Sequence, residues 1–306
     1  MQKSVLKKDS YNQSGQALVL VLLSLSVVLT IILFVLSRSV TDISTSTGQA
    51  DSVRAFSAAE AGVENALITG AGTGGGNVVI GDASYSVDVS DYSSGLTTFN
   101  YPIPMLSGDS MTLWFISHKD DGSLTCDAPY TSCFTGNTIK VCWGAQGTVS
   151  TLATSPAVEA SIYYEDTPGD LSTIKIARAA YDPNTTRLAQ NSFSSATNSS
   201  CQIDGVNYAF QSTINLSSLG GVNNNGLLFA RIRILYNVTQ SHLMGIDVSS
   251  SGQTLPSQGL AIVSTGTSGA TTGNVNQSNR RVRVFQGWPV FPLSGYSIFV
   301  PSGITK

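Results

Sequence analysis

Charged side chains are scarce in this sequence of 306 residues. Lys and Arg together number 16 and Asp and Glu 19, which gives a formal net charge of −3 at pH 7. A chain with this balance has no overall electrostatic attraction to nucleic acid. Histidine is rarer still, and the only two, His118 and His242, lack the spacing of metal ligands.

The sequence also lacks the short motifs that mark common catalytic centres. It contains no Gly-x-Ser-x-Gly, no His-Glu-x-x-His and no phosphate-binding loop. Two acidic stretches, 120–122 and 166–170, lack the ligand register of an EF-hand and are more typical of turns. We therefore predict a protein that is not an enzyme and that holds no cofactor and no metal ion.

The longest apolar run, residues 17–36, carries no charge, no proline and no glycine. A helix needs roughly 20 such residues, at 1.5 Å rise each, to cross a bilayer core. Only Ser24, Ser26 and Thr30 interrupt the run, and their hydroxyls can bond carbonyls of the preceding turn. The sequence therefore predicts a transmembrane helix over 16–36.

The residues before this run predict its orientation. Lys3, Lys7 and Lys8 stand against Asp9 alone, so the positive-inside rule keeps the N-terminus in the cytoplasm. Everything from Ser37 onward then lies outside the cytoplasmic membrane. The run is longer than the roughly 7 to 15 apolar residues of a signal peptide, which favours a single-pass segment that stays in place.

Two short stretches resemble a known family. The residues Ser14-Gly15-Gln16-Ala17-Leu18 resemble the site cut by prepilin peptidase in type IV prepilins. Downstream, Ala55-Phe56-Ser57-Ala58-Ala59-Glu60-Ala61-Gly62 resembles the helix motif of PilX-like minor pilins, and of the tip pseudopilin of type II secretion. The resemblance covers about Gly15 to Leu67.

This resemblance implies a processing step and a set of partners. Cleavage between Gly15 and Gln16 would remove the leader 1–15 in the cytoplasm and shift the net charge from −3 to −5, since the leader holds three Lys and one Asp. The helix would be embedded first in membrane lipid. Inner-membrane pilus assembly machinery would then insert it among other pilin subunits, in a filament at the cell surface.

Two positions depart from the major-pilin pattern. The fifth mature residue is Leu20, where major pilins carry a Glu, and the first is Gln16 rather than Phe. A carboxylate among apolar helices is costly unless a partner neutralises it, and in the family that partner is a neighbour's N-terminal amine. A subunit without the Glu suits a tip or low-copy position. The alternatives are a membrane-anchored surface adhesin and a type II secretion pseudopilin.

The membrane helix is predicted to continue outward to residue 69. Apolar residues recur near helical spacing and predict one apolar stripe, formed by Val40, Ile43, Ala50, Val53, Phe56, Val63 and Leu67. The segment 41–47 and Gly48 are poor helix formers, so a bend or frayed turn is expected there. Glu60 and Glu64 fit a solvated face, while the small residues of 58–61 would let a helix or sheet approach closely.

Beyond the helix the pattern changes to that of strands. A Gly-rich linker at 70–76 is predicted to precede a β-sandwich domain over 77–306, which makes the fold class α+β. Residues 78–80 and 83–87 predict a hairpin with a two-residue turn. Further strands are predicted at 111–117, 138–143, 157–165, 172–181, 207–216, 227–238, 260–265, 281–286 and 296–300.

Alternation within two of these strands separates arginines from apolar residues. The apolar side is predicted to hold Leu228, Ala230, Ile232, Ile234, Val282 and Val284, and the other side Arg231, Arg233, Arg281 and Arg283. Such arginines could bind DNA or an anionic glycan. The simpler interpretation is that they face solvent and are balanced by nearby Asp and Glu.

All four cysteines, Cys126, Cys133, Cys142 and Cys201, fall in the part predicted to lie outside the cytoplasm. An even number there favours disulfides, with three possible connectivities. The absence of a Cys-x-x-Cys spacing argues against zinc. The favoured pairs are Cys126 with Cys133, closing a short loop, and Cys142 with Cys201.

Overall fold

A computed structural model describes residues 14–119, 121–269 and 277–290. Its first element is a single helix of 56 residues, α1 (Ser14–Thr69). The predicted helix thus starts two residues earlier than expected and ends where the sequence places its end. The predicted strand at 296–300, like most of the predicted leader, lies outside the described residues.

Helix α1 is continuous through the segment in which a frayed turn was expected. The hydroxyl of Thr41 donates to the carbonyl of Ser37 at 3.0 Å, and that of Thr45 donates to the carbonyl of Thr41 at 2.9 Å. These bonds satisfy the side chains without opening the backbone ladder. The expectation of a frayed turn is therefore wrong.

Most large residues of the predicted apolar stripe of α1 are exposed, and Val63 is the exception. Val40, Ile43, Val53 and Phe56 are between 47% and 66% exposed. The buried residues of the helix are instead small ones together with one valine, namely Ala55, Ala58, Ala59, Gly62, Val63 and Ala66. Small side chains are buried because the neighbouring backbone comes too close for large ones, as the site geometry below shows.

Sixteen strands and one further short helix follow in the described part of the chain. The strands are β1 (Val78–Ile80), β2 (Ala83–Asp91), β3 (Thr98–Met105), β4 (Ser110–Trp114), β5 (Ser117–His118), β6 (Leu124–Thr125), β7 (Thr138–Ala145), β8 (Ala157–Glu165), β9 (Ile174–Asp182), β10 (Ser194–Ser195), β11 (Cys201–Ile203), β12 (Val206–Asn215), β13 (Leu227–Leu235), β14 (His242–Asp247), β15 (Gly259–Ser268) and β16 (Ser278–Gly287). Helix α2 (Leu188–Asn191) is a helical turn that the sequence analysis did not predict. Single 3-10 turns occupy Leu171–Thr173, Leu216–Leu219, Asn224–Gly226 and Ser249–Ser251.

Most predicted strands are present, with shifted ends. The hairpin is confirmed, since Ile80 pairs with Ala83 across the turn. The strand predicted at 172–181 begins later, because Asp170 caps a 3-10 turn at Leu171–Thr173 and accepts a hydrogen bond from the backbone of Ser172. The predicted strand 111–117 is divided between β4 and β5.

The strands form mainly antiparallel sheets. One five-stranded sheet has the order β10-β9-β8-β13-β4 and another the order β11-β12-β7-β14-β3, and β10 beside β9 is a parallel pair. A four-stranded sheet has the order β1-β2-β15-β16, and β5 pairs with β6. The protein is thus a long apolar helix followed by a β-sheet domain, an α+β chain.

The described residues fall into two compact units. The first contains 14–65, 73–87, 264–269 and 277–282, and the second contains the remainder. The helix up to Asn65 and the hairpin of β1 with β2 up to residue 87 belong to the same unit. The strands β2, β15 and β16 each run from one unit into the other.

The core of the second unit draws side chains from both five-stranded sheets. Among the fully buried large residues are Leu113, Ile162 and Ile232 from one sheet and Phe99, Trp143 and Phe210 from the other. The Trp143 indole N–H donates to the carbonyl of Pro156 at 2.8 Å, so this buried polar group is satisfied.

The predicted faces of β13 are confirmed except at one residue. Ala230, Ile232 and Ile234 lie in this core, whereas Leu228 packs with Trp114 and Phe229 in a separate cluster. The pairing of β13 with β8 shifts register between Leu227 and Phe229. A one-residue shift turns a side chain to the other face of the sheet, which explains the error.

Candidate functional site

The first half of α1 presents a continuous apolar surface. Its large apolar residues from Leu18 to Leu36 are all between 49% and 67% exposed. Within the described residues, α1 is the one helix long and apolar enough to cross a membrane, and its most apolar stretch of 18 residues has a mean hydropathy of 3.2. An exposed apolar surface of this size is the mark of contact with lipid or with another protein.

The predicted processing site lies at the start of this surface. Gly15 and Gln16 belong to the first turn of α1, directly after Ser14. Leu20, one turn further along, is 63% exposed. Nothing in the geometry tests cleavage, which stays a prediction.

The motif residues of α1 divide between two faces of the helix. Ala55, Ala58, Ala59 and Gly62 are buried, whereas Phe56 is 47% exposed and Glu60 is exposed. Glu60 thus lies on a solvated face, as predicted. The buried motif residues therefore pack inside the protein, whereas the exposed ones face outward.

The buried face packs directly on strands of the first unit. A methyl group added to Gly62 would lie 2.8 Å from the side chains of Tyr85 and Val87. One added to Gly266 of β15 would lie 2.5 Å from the backbone nitrogen of Ala59. Since carbon atoms make ordinary contact at about 3.5 Å or more, only glycine fits at either position. The prediction that the small residues allow a close approach is confirmed.

Polar contacts flank this packed face of α1. The Nε of Arg280 donates to the hydroxyl of Ser52 at 2.9 Å. The hydroxyl of Ser268 lies 3.4 Å from a carboxylate oxygen of Asp51. These bonds hold the edges of the helix and leave Val53 and Phe56 on its outer side, where they are 65% and 47% exposed. We call Val53 and Phe56 the outer apolar face.

The second unit carries a cleft with a volume of about 820 Å³. Its wall includes Trp114 and His118. The His118 ring stacks on Trp288 with centroids 4.8 Å apart and meets Trp114 edge to face at 4.3 Å. His118 is 8% exposed, and its ring nitrogens have no hydrogen-bond partner in the described part of the chain. Burial lowers the pKa of His118 to about 4, so the ring is neutral at pH 7.

Neither histidine belongs to a metal site within the described residues. His242 accepts a hydrogen bond from the backbone N–H of Ala145 at 3.0 Å, and burial lowers its pKa. No cluster of potential ligands occurs in 14–119, 121–269 or 277–290. Sequence reasoning considered His118 only as a metal ligand and missed its place in an aromatic cleft, because Trp288 is 170 residues away along the chain.

The acidic stretches form turns where they are described. Asp121 accepts hydrogen bonds from the backbone and the hydroxyl of Ser123, and Asp170 does the same with Ser172. These bonds lower the pKa of both carboxyls. Asp120 lies outside the described residues.

Two disulfides join the four cysteines. Cys126 pairs with Cys133 across seven residues, and Cys142 pairs with Cys201 across 59. These are the pairs that the sequence analysis favoured. The second bridge joins β7 to β11, which lie on either side of β12 in one sheet, and it is packed beside Ile203 and Tyr208.

Comparison of the chain with protein-family models, with curated proteins and with solved structures gives no match. The resemblance to pilins therefore rests on the residues of α1 quoted above. The physical arguments for a function must come from the two surfaces of that helix and from the second unit.

The arginines of the predicted basic patch differ in their surroundings. Arg281 and Arg283 are exposed on β16. Arg231 and Arg233 lie on the side of β13 away from the core, and both are partly buried. Arg233 pairs in register with Glu159 of β8.

Proposed function

We propose that this protein is a minor subunit of a type IV pilus-like filament, held first in the cytoplasmic membrane and then in the filament by α1. The N-terminus would lie in the cytoplasm, and residues beyond 36 would lie outside it. The second unit would form a β-sandwich head displayed at the cell surface. The role is structural, and it requires no catalytic group.

The observation that carries this proposal is the outer apolar face. Phe56 follows Leu36, the last residue of the apolar run, by 20 positions, or about 30 Å of helix. Lipid contacting residues 17–36 cannot reach so far. Val53 and Phe56 are 65% and 47% exposed, and packing against the helices of other subunits would remove them from water.

A helix that served only as an anchor would have no use for this arrangement. Large apolar residues outside a membrane normally point into the protein. Here Ala55, Ala59 and Gly62 are buried while Phe56 is exposed. This inversion favours a filament subunit over the single-pass adhesin.

The β-sandwich head is supported by the shared core. Both five-stranded sheets contribute buried side chains to one cluster, which is how two sheets bury their apolar faces in a sandwich. The disulfides fit a compartment outside the cytoplasm. A type II secretion pseudopilin would share these features and differ in its partners.

Processing at Gly15 is the direct test. Intact mass spectrometry of the membrane-extracted protein should show a chain that begins at Gln16, and Gly15→Leu should leave the leader attached. Gly48→Leu is the matched control, because a side chain at Gly48 meets nothing within 4 Å. A mature N-terminus beyond residue 36, or an uncut chain in cells that process other prepilins, would contradict the proposal.

A photo-crosslinking residue at position 56 tests the partner. In a filament it should capture the helix of a neighbouring subunit, whereas the same residue at exposed Ile68, outside the outer apolar face, should capture it less often. Ile68 is 85% exposed. Capture of lipid alone, or of nothing, would favour the adhesin.

A further inference from the structure

A second and smaller pocket in the second unit lies beside strand β4. Its volume is about 190 Å³, and its lining includes Ser110, Thr112 and Arg231 on one side and Tyr101, Phe285 and Trp288 on the other. The first three are polar side chains of the neighbouring strands β4 and β13, where Arg231 pairs with Thr112. The last three are aromatic, so the pocket has one polar wall and one apolar wall.

The guanidinium of Arg231 is the cation of this pocket, and it forms hydrogen bonds with neutral hydroxyl groups. Nη1 of Arg231 donates to the hydroxyl oxygen of Thr112 at 2.8 Å, and Nη2 donates to that of Ser110. The ion pairs described in the structure do not include Arg231, whereas Arg187 binds the buried carboxylate of Asp182 at 2.7 Å. Burial and the nearby charge of Arg233 lower the pKa of Arg231, but a guanidinium stays protonated at physiological pH.

The groups around Arg231 present donors rather than acceptors. A guanidinium has five N–H groups, and two of its nitrogens are engaged by the hydroxyls. Since Ser110 and Thr112 accept from the arginine, their own O–H protons remain to be donated. The one amide in the lining, Gln258, is used fully, because it bonds the backbone N–H and carbonyl of Trp114 and the carbonyl of Pro256. A ligand that accepts several hydrogen bonds and carries negative charge meets these requirements.

The aromatic wall determines what else the ligand carries. Tyr101 and Phe285 meet edge to face with centroids 6.1 Å apart, and the Trp288 indole N–H is already bonded to the carbonyl of Ser257 at 3.1 Å. Apart from the phenolic hydroxyl of Tyr101, which can donate a hydrogen bond, these rings offer apolar surface. A volume of about 190 Å³ is below the range of drug-sized sites, so the group that enters must be small.

We propose that this pocket binds a carboxylate attached to a small aromatic group, with the carboxylate on Arg231, Ser110 and Thr112 and the ring against Tyr101, Phe285 and Trp288. A planar carboxylate can accept two parallel hydrogen bonds from the fork of a guanidinium. Such a carboxylate can belong to a free small acid or to the C-terminus of a peptide. The inference concerns the head alone and does not depend on assembly into a filament.

Phenylacetate is the probe, and 2-phenylacetamide, its neutral analogue, is the matched control ligand. Ligand-observed NMR titration against the detergent-solubilised full chain should show binding of phenylacetate that is at least tenfold tighter than that of the amide. Arg231→Gln should weaken phenylacetate binding at least tenfold and leave the amide unchanged. Arg178→Gln, which removes an exposed arginine from the same sheet, should leave both unchanged.

Two milder variants keep the test sound if Arg231→Gln fails to fold. Thr112→Val and Ser110→Ala each remove one hydroxyl and should each weaken phenylacetate binding several-fold at an unaltered melting temperature. N-acetylphenylalanine represents a peptide C-terminus, so its affinity relative to phenylacetate identifies the source of the carboxylate.

Equal binding of phenylacetate and its amide would show an apolar crevice and overturn the proposal. Equal losses of phenylacetate binding in Arg231→Gln and Arg178→Gln would also overturn the proposal, since that result would show an effect of surface charge in general. Displacement of phenylacetate by an equal concentration of inorganic phosphate would show a general anion site and reject the carboxylate assignment.

Discussion

Gly266→Ala tests the packing of α1 on strand β15. The new methyl group would lie 2.5 Å from the backbone nitrogen of Ala59 and 3.0 Å from the carbonyl carbon of Ala55. Both are backbone atoms of a helix, so neither can rotate away. The methyl group would also overlap the carbonyl oxygen of Ala55, so strand and helix must separate by more than about 1 Å to restore ordinary contact. Gly266 has no positive φ, so the cost is steric.

The expected cost follows from this geometry. Overpacking of a close contact usually lowers the free energy of unfolding by about 1 to 3 kcal/mol. For a unit of 60 to 100 residues, each 1 kcal/mol of this loss lowers the melting temperature by roughly 4 to 8 °C. Circular dichroism of the detergent-solubilised chain during heating measures it, and hydrogen exchange of 55–66 should show faster opening of the helix.

Gly48→Ala is the control for the same substitution in an open place. Gly48 is also in α1, and a methyl group there meets nothing within 4 Å. Because alanine is a better helix former than glycine by about 1 kcal/mol, this variant should be no less stable than the original chain. If Gly266→Ala melts like Gly48→Ala, helix and strand do not approach as closely as these distances require.

Acid should weaken the second unit through His118. Its pKa is lowered from 6.5 to about 4 in the fold, so stability is complete above pH 6.5 and declines toward pH 4, by at most about 3 kcal/mol. Urea unfolding at pH 6.5 and at pH 4 should show that the free energy of unfolding falls less with acid in His118→Phe than in the original chain. An equal fall in both proteins would contradict this prediction. Serine at Cys142 and Cys201, which are 59 residues apart, should lower the free energy of unfolding by about 4 kcal/mol in the chain-entropy model; a loss below about 1 kcal/mol in the same unfolding assay would contradict it. Leu20→Glu should raise the number of copies per filament in quantitative mass spectrometry, and unchanged incorporation would place the restriction in the head.

Features that depend on neighbouring residues could be predicted from the sequence. The apolar run and the hairpin at residues 78–87 are specified by composition and by the two-residue turn at Gly81, which has φ +56°. For the disulfides, the sequence favours one pairing without excluding the others, since four cysteines allow three connectivities.

Features that depend on distant residues could not be predicted from the sequence. Strand β3 was missed because its sequence contains Pro102 and Pro104, which argue against a strand, and proline is tolerated there because β3 is an edge strand. Strand β14 was missed because Gly245 interrupts it. A methyl group at Gly245 would lie 2.8 Å from Asn100 and Tyr208, so the glycine is required by neighbours that sequence alone does not reveal.

The candidate sites show the same limit. Alternation placed Arg231 on the outer side of β13, as observed, but the hydroxyls it contacts lie about 120 residues earlier, on β4. The simpler interpretation was that Asp or Glu balances the arginine. Deciding whether it holds requires knowing which groups Arg231 contacts. The order of the sheet, in which β4 lies beside β13, supplies that knowledge.

The two faces of α1 explain why most large residues of its predicted apolar stripe are exposed. Hydrophobic periodicity assumes that the largest apolar residues of a helix face the core of the same chain. In α1 the strand backbone at Gly266 comes so close that only Ala55, Ala59 and residues of similar size fit, which forces Val53 and Phe56 outward. A helix that packs on its own chain through small residues leaves its large apolar residues on another surface. In the filament that we propose, this surface lies beyond the reach of lipid and packs against other subunits.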